Sequence, residues 1–354
     1  MKIQLTNHTY EILIKKGGLS EVGQWVKSLW QPQKIAIITD SNVVDLYGED
    51  VKQQLQNVGF AADLFVVPAG EESKSLIQAT QLYDQLAEAG YTRSDGIIAL
   101  GGGVIGDLTG FVASTYMRGL HFLQIPTTLL AQVDSSIGGK TAVNTQNAKN
   151  LVGTFSQPEG VLIDSETLKT LDDRRLREGI AEVVKAGAIA DSILWDLLET
   201  MEDEHALLAR AEEVIPLALD VKKVVVEDDE FDHGSRLLLN FGHTIGHGIE
   251  NTAGYGVVSH GEAVAIGMML MCRQAEYSKL SPSGITEKME KMLQRFHLPT
   301  DYPELEAKKE AIYQAITHDK KARGKQLKII LLEQIGEAKI VSIPIENIRD
   351  YIRS

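Results

Sequence analysis

The stretch GIIALGGGVIGD, from Gly96 to Asp107, decides the fold. Its first five residues are apolar on both alternating sets, which predicts a strand buried on both faces. Three glycines follow at once, and the next residues open a helix. Glycine lets a backbone approach a ligand closely, and a helix N-terminus offers unpaired N–H groups and the positive end of a dipole. A pyrophosphate suits such a turn. The glycines follow the third strand of the alternation, however, whereas the usual dinucleotide fingerprint follows the first. A tight strand-to-helix turn without a ligand is the competing reading.

Working outward, Lys34–Asp40 (KIAIITD), Ala62–Val67 (ADLFVV) and His121–Ile125 (HFLQI) are further apolar strands. Val51–Val58 and Leu76–Ala89 carry helical spacing between them. Strands separated by helices in this way predict a parallel sheet covered on each side. Ile3–Leu5 and Tyr10–Ile14 alternate as a short hairpin. From about Asp172 the pattern becomes helical: Arg177–Ala190, Ser192–Glu199, His205–Val226 and His260–Leu280. Pro216 is predicted to kink or divide the third of these. Leu327–Leu332 and Ala338–Val341 read as a late hairpin, and the acidic run Glu227–Glu230 as a solvated loop. The expectation is an α/β domain over residues 1–172 and a mainly α-helical domain over residues 173–354.

Composition narrows the function. The 354 residues include 35 Lys and Arg against 49 Asp and Glu, a formal charge of −14. Most of such a surface repels nucleic acid and anionic membrane, so neither is expected as a partner. An anionic small molecule must be met by a local cluster of cations. The single cysteine, Cys272, excludes an internal disulfide framework and any multi-Cys metal site. The longest apolar run, Ala263–Cys272, is half of the ~20 residues that span a bilayer. No apolar signal segment opens the chain, so a cytoplasmic location is expected.

Several segments can carry chemistry. Asp134–Thr141, DSSIGGKT, invites a nucleoside-triphosphate reading, but the position six before Lys140 is Asp134 rather than glycine. An ATPase is therefore rejected, and Lys140 and Lys149 stand as cations near a glycine-rich loop. Phe241–His247, FGHTIGH, sets His243 and His247 four apart, on one face if helical. His260 opens the next helix as His260-Gly261-Glu262. Three histidines within 18 residues, with acids on nearby helices, make a divalent-metal site plausible chemistry. Spacing does not choose among the histidines, and Glu182, Glu250 and Glu262 compete as the carboxylate. Lys185, Lys222 and Arg236 recur at polar positions in apolar settings, where structural ion pairing is the alternative.

Together, GGGVIGD, IPTTLLAQVDSSIGGKTAVN, KNLVGTF, REGIAEVVKAG, LLNFGHTIGHGIE and HGEAVAIGM resemble the 3-dehydroquinate synthases, in that family's order and across residues 101–268. VPAGEESKS and HDKKARGKQLKIILLEQIG extend the resemblance over nearly the whole chain. It implies a Rossmann-like NAD-binding domain followed by a helical metal- and substrate-binding domain. It implies conversion of 3-deoxy-D-arabino-heptulosonate 7-phosphate to 3-dehydroquinate and phosphate, a lyase reaction of the shikimate route to chorismate and aromatic amino acids, with NAD and one divalent ion, Zn or Co. Hydride would leave C5 for NAD, phosphate would be eliminated, the hydride would return, and an intramolecular aldol step would close the ring. By the same resemblance Glu182, His243 and His260 are the metal ligands, and His247 is an active-site histidine outside the ligand set. Asp40, Asn42, Glu71, Lys74, Gly102, Gly103, Val104, Ile105, Gly106, Asp107, Thr127, Thr128, Lys140 and Lys149 match cofactor-binding positions. Arg118, Asp134, Lys140, Asn150, Lys185, Lys222, Arg236, Asn240, His247 and, of the pair Lys320 and Lys321, Lys320 match substrate-binding positions. His247, Lys140 and Asp134 are the catalytic candidates. A homodimer is expected, with Arg118 toward the neighbouring subunit.

Three other readings compete: a related sugar-phosphate cyclase, a metal-dependent polyol dehydrogenase that would release NADH, and a non-catalytic NAD- or zinc-sensing module. Phosphate release without net NADH separates the first reading from the last two.

Overall fold

The computed structural model describes residues 1–353 apart from Pro32, Gln146, Asn147, Tyr255 and residues 321–324, with the backbone alone for His318–Lys320. The chain divides into two compact units, Met1–Leu171 and Asp172–Ser354.

The first unit is an α/β sheet domain. Its strands are β1 (Lys2–Gln4), β2 (Thr9–Ile14), β3 (Lys34–Asp40), β4 (Ala61–Val67), β5 (Gly96–Gly101), β6 (His121–Pro126), β7 (Lys140–Val143), β8 (Val152–Phe155) and β9 (Gly160–Ile163). Its helices are α1 (Val22–Leu29), α2 (Glu49–Asn57), α3 (Leu76–Glu88) and α4 (Gly103–Thr115). Seven strands form one sheet in the order β1-β2-β9-β6-β5-β3-β4, parallel except for the β1–β2 hairpin. The small β7–β8 hairpin stands apart and packs on α4.

Alternate residues of the central strands feed two cores. Ile35, Ile37, Ile98 and Leu100 meet Val22, Val26, Val51 and Leu55 of α1 and α2 on one face. Ala36, Ile38, Ile97 and Ala99 meet Leu82 and Leu86 of α3 and Leu108 and Val112 of α4 on the other. This two-sided burial is why these strands are apolar runs rather than alternating ones.

The second unit is helical: α5 (Asp173–Ala190), α6 (Ser192–Glu199), α7 (Glu204–Ala209), α8 (Ala211–Asp228), α9 (His243–Ala253), α10 (His260–Tyr277), α11 (Ile285–Arg295) and α12 (Leu305–Lys320). It closes with the hairpin β10 (Gln326–Gln334) and β11 (Glu337–Pro344). The architecture is thus an α/β sheet unit followed by a mainly helical one. No helix among the described residues is long and apolar enough to cross a membrane.

Two local expectations are corrected. The chain breaks between α7 and α8 at Arg210, whose φ and ψ are −114° and 22°, and Pro216 lies inside α8. In the second turn a proline removes one amide bond, whereas Asp203 caps α7 and fixes it as a separate helix by accepting the Ala206 N–H. The acidic run is not simply a loop either. α8 continues to Asp228, and Asp229 folds over the next turn, accepting N–H groups of His233 (2.9 Å), Gly234 (2.6 Å) and Arg236 (3.2 Å). Burial opposes its charge, but these backbone bonds hold the Asp229 carboxyl below the usual carboxylate range.

Candidate active site

In the sheet unit, β3 and β5 are parallel neighbours whose chains depart in opposite directions, β3 toward β4 and β5 toward β6. Loops diverge at such a point and leave a crevice beyond the C-terminal strand ends. Asp40 closes β3, and its Oδ1 accepts the N–H groups of Asn42 (2.8 Å) and Val43 (3.1 Å). Gly101 closes β5, and α4 begins two residues later with Gly102 at its N-cap and no side-chain cap. The first turn, carrying Gly103, Val104 and Ile105, therefore presents N–H groups without intrahelical partners, the first helical bond being that of the Gly106 N–H to the Gly102 carbonyl at 3.0 Å.

Space is tight under this turn. A β-carbon on Gly102 would lie 3.0 Å from Thr128 Cγ2, and one on Gly103 would lie 2.9 Å from Ser135 Oγ. The glycines thus keep the turn free of side chains and pack it onto the segment after β6. There the Thr127 N–H donates to the Gly101 carbonyl (3.0 Å), and Thr128 Oγ1 accepts the Ala131 N–H (3.2 Å). Buried Lys74 pairs with Asp107 one turn into α4. Glu71 Oε1 accepts a hydrogen bond from Asn144 Nδ2 at 2.7 Å. Lys149 lies between β7 and β8 and precedes Asn150, which has φ 55°. Lys140 begins β7 and is exposed, Asp134 sits in the turn Ala131–Ser135, and Arg118 is exposed with φ 70°.

In the helical unit, glycines bring three helices to close contact. A β-carbon on Gly242 or Gly267 would collide with the facing backbone of α10 or of Gly242, and one on Gly261 would collide with Glu178 of α5. The result sets the first residues of α9 and α10, His243 and His260, against Glu182 in the middle of α5. His243 Nε2 lies 3.4 Å from Glu182 Oε1, and His260 Nε2 lies 3.3 Å from the same oxygen. Lys185, one turn along α5, pairs with Glu182. His247 joins through its ring, with centroids 5.3 Å from His243 and 5.9 Å from His260.

The tautomers follow from the partners. His243 Nδ1 is 3.1 Å from the Phe241 carbonyl, which can only accept, so that nitrogen carries the proton and Nε2 presents a lone pair. His260 Nδ1 faces Glu250 Oε2 at 3.5 Å, leaving its Nε2 toward Glu182. A carboxylate or carbonyl behind a ligating imidazole is the common outer arrangement of metal sites.

Burial disfavours charge on Glu182, yet Lys185, His243 and His260 hold it well below the usual carboxylate range. Burial and then Lys185 press His243 well below the usual imidazole value. His260 is pushed up to about 10: burial opposes protonation, but contacts with Glu182 and Glu250 outweigh it. Both Glu182 oxygens are buried and, among the described residues, lack a hydrogen bond of good geometry. A buried carboxylate whose Oε1 faces two imidazole nitrogens, with Lys185 beside Oε2, fits a divalent cation.

Three groupings of potential ligands occur among the described residues. Glu182, His243 and His260 form the one built on a buried carboxylate. His247, Glu250 and His260 form a second that shares His260, but His247 is exposed. Asp173, Glu204 and His205 form a third, in which Glu204 is already engaged by Arg177 and His297. Glu262, a competitor on sequence grounds, stands outside all three. Its Oε2 accepts the Ser259 N–H (2.8 Å) in a capping box, and Arg174 grips both of its oxygens.

The other candidates sit on elements that pack on α5. Lys222 is buried on α8, and Arg236 and Asn240 belong to the turn Ser235–Asn240, which contacts both α5 and α8. Arg236 is 2% exposed and donates from Nη1 to the Glu230 carbonyl at 2.6 Å. The side chain of Lys320, with Lys321, lies outside the described residues. Two contributors escaped sequence reasoning: Ser135, which faces Gly103, and Asn144, which reaches Glu71. The only local signal for Asn144 was its place at the end of TAVN.

The chain matches the family model described as 3-dehydroquinate synthase N-terminal over residues 64–178, and the one described as 3-dehydroquinate synthase C-terminal over residues 179–322. It is 61% identical over 352 residues to the 3-dehydroquinate synthase of Enterococcus faecalis (strain ATCC 47077 / OG1RF), covering 99% of this chain and 98% of that protein. Among solved structures, a 2-deoxy-scyllo-inosose synthase complexed with carbaglucose-6-phosphate, NAD+ and Co2+ superposes with a TM-score of 0.89 at 26% identity, over 100% of this chain and 99% of that one. A 2-epi-5-epi-valiolone synthase from Streptomyces hygroscopicus subsp. jinggangensis 5008, with NAD+ and Zn2+ bound, gives 0.88 at 28% identity, over 99% and 97%. Matched by both family models and by a relative along its whole length, this chain belongs to the 3-dehydroquinate synthase family.

Proposed function

We propose that the chain is an enzyme converting 3-deoxy-D-arabino-heptulosonate 7-phosphate to 3-dehydroquinate and phosphate, a carbon–oxygen lyase dependent on NAD and one divalent ion, Zn or Co. The chemistry rests on one observation: the buried Glu182 carboxylate turns Oε1 toward the Nε2 atoms of both His243 and His260, at 3.4 and 3.3 Å. The choice of sugar phosphate follows the family.

Glu182 and the Nε2 atoms of His243 and His260 would hold the ion, and the uncapped first turn of α4 would receive the dinucleotide pyrophosphate. When bound, the ion supplies a Lewis acid toward a hydroxyl pair and the dinucleotide a reversible hydride acceptor. The protein's own groups do the rest. His247, beside the ligand imidazoles but outside them, takes up and returns a proton at a ring nitrogen. Lys140, Lys185, Lys222 and Arg236 neutralise the carboxylate and phosphate of the substrate, which a chain of −14 otherwise repels. Arg236 offers a planar fork to an oxyanion. We further expect a homodimer in the cytoplasm.

The test is phosphate release from the heptulosonate phosphate by NAD-loaded, metal-loaded protein, with the cyclic product identified. Stoichiometric NADH accumulation instead would mean a polyol dehydrogenase. A different carbocycle from another sugar phosphate would mean a related cyclase.

A further inference from the structure

We propose that Asn144 is a positioning residue that fixes the Lys149–Asn150 tip of the β7–β8 hairpin against the Glu71–Lys74 turn. The inference rests on the reading above, in which these segments meet cofactor and substrate.

β7 ends at the wholly buried Val143, and Asn144 then leaves the hairpin to form a parallel bridge with Ser75. Its backbone N–H donates to the Lys74 carbonyl at 2.8 Å. Its side-chain Nδ2 donates to Glu71 Oε1 at 2.7 Å. Its Oδ1 accepts the backbone N–H of Asn150 at 2.9 Å. One residue therefore ties Glu71, 73 positions before it, to Asn150, six positions after it, through its backbone and both ends of its amide. The turn is anchored again by Lys74, which pairs with Asp107 on α4. Asn150 holds a left-handed φ of 55°, a conformation asparagine adopts more readily than most residues, and the bond from its N–H to Asn144 fixes where that turn sits.

An amide is the group this place requires. Aspartate keeps the acceptor for the Asn150 N–H, but it removes the donor to Glu71 and sets a second carboxylate beside it. Alanine removes both. The carboxylate of Glu71 and the height of the tip are thus separable by chemistry at one position.

The experiment compares full-length, metal-loaded Asn144→Asp and Asn144→Ala with the parent. It measures NAD+ affinity by calorimetry, KM and kcat by phosphate release, metal content, and amide hydrogen exchange over residues 148–151. Losing one hydrogen bond to a charged group predicts a roughly tenfold weaker NAD+ affinity in Asn144→Asp, with KM near parental. Asn144→Ala should show the same loss of NAD+ affinity, a KM raised roughly tenfold, and faster exchange at the tip, with metal content unchanged. Parental NAD+ affinity and KM in Asn144→Ala would overturn the proposal. So would a uniform loss of NAD+, substrate and metal binding in both variants, which is the mark of a merely structural residue. If Asn144→Ala does not fold, the split between NAD+ affinity and KM in Asn144→Asp, with its tip exchange, decides alone. A parent that neither binds NAD+ nor releases phosphate would instead overturn the functional reading itself.

Discussion

At the end of β5 the chain presents almost no side chain, whereas where α5, α9 and α10 meet it presents several buried, ionised ones. The glycine turn works through backbone N–H groups, and its neighbours Thr128 and Ser135 come within about 3 Å of where β-carbons would stand. The helical cluster works through the buried pair Glu182 and Lys185 and the half-buried His243 and His260 that face the same carboxylate. Backbone sites tolerate changes in neighbouring side chains, but not a side chain added to the turn. Charge clusters tolerate changes at their rim but not the loss of a member, because the remaining charge stays buried.

The largest effect should come from breaking the cluster. His243→Ala should lose the metal, measured as bound ion per chain, together with at least ~1000-fold of phosphate-release activity, since a Lewis acid and a ligand disappear together. His247→Ala should retain the metal and lose roughly 100-fold in rate, within the range of a proton-transfer residue. Metal loss in His247→Ala, or a bond from His247 at ~2.0–2.1 Å in a metal-loaded structure, would reverse the roles assigned to the two histidines.

Next comes the turn. Gly103→Val should weaken NAD+ affinity about 100-fold by calorimetry. Because the added carbons meet Ser135, it should also cost ~1–3 kcal/mol of stability as an overpacked site. A variant that binds NAD+ like the parent would show that the turn is only a structural corner.

A control for buried charge without chemistry lies elsewhere in the helical unit. Glu204 is 2% exposed and held by Arg177 and His297; burial opposes its charge, but these partners bring its pKa to about 2. Relative to a free carboxyl near 4.5, this contributes about 3 kcal/mol of stability. That contribution is fully present above about pH 4.5 and is lost as pH falls toward 2. Glu204→Gln should therefore lower the melting temperature at neutral pH and flatten the acid limb of the stability curve, while kcat stays parental. An unchanged acid limb would refute the assignment.

A smaller effect is expected at Arg236. Lysine cannot both donate to the Glu230 carbonyl and offer a fork to an oxyanion, so Arg236→Lys should raise KM roughly tenfold with metal and NAD+ binding intact. Parental kcat/KM, or loss of metal, would make Arg236 a structural residue. The smallest effect is at Cys272, whose thiol burial pushes up to about 12. Alkylating reagents should leave the native protein unmodified, and Cys272→Ala should keep its activity.

The sequence by itself determined the sheet, the glycine turn and the histidine-bearing helices. Their signals are local: apolar runs of strand length, consecutive glycines after a strand, and two histidines four apart. It also limited the carboxylate that faces the histidines to three residues, and there local information ended. Glu182, Glu250 and Glu262 each sit on a helix with similar neighbours, and nothing in their spacing says which faces the imidazoles. Tertiary packing decided. Gly242, Gly261 and Gly267 let the three helices approach until Glu182 met both Nε2 atoms, while Ser259 and Arg174 drew Glu262 into a cap. The break at Arg210, the β7–β8 hairpin and the reach of Asn144 to Glu71 were decided in the same way. Each depends on contacts between residues far apart in the chain, whose free energy no local propensity contains.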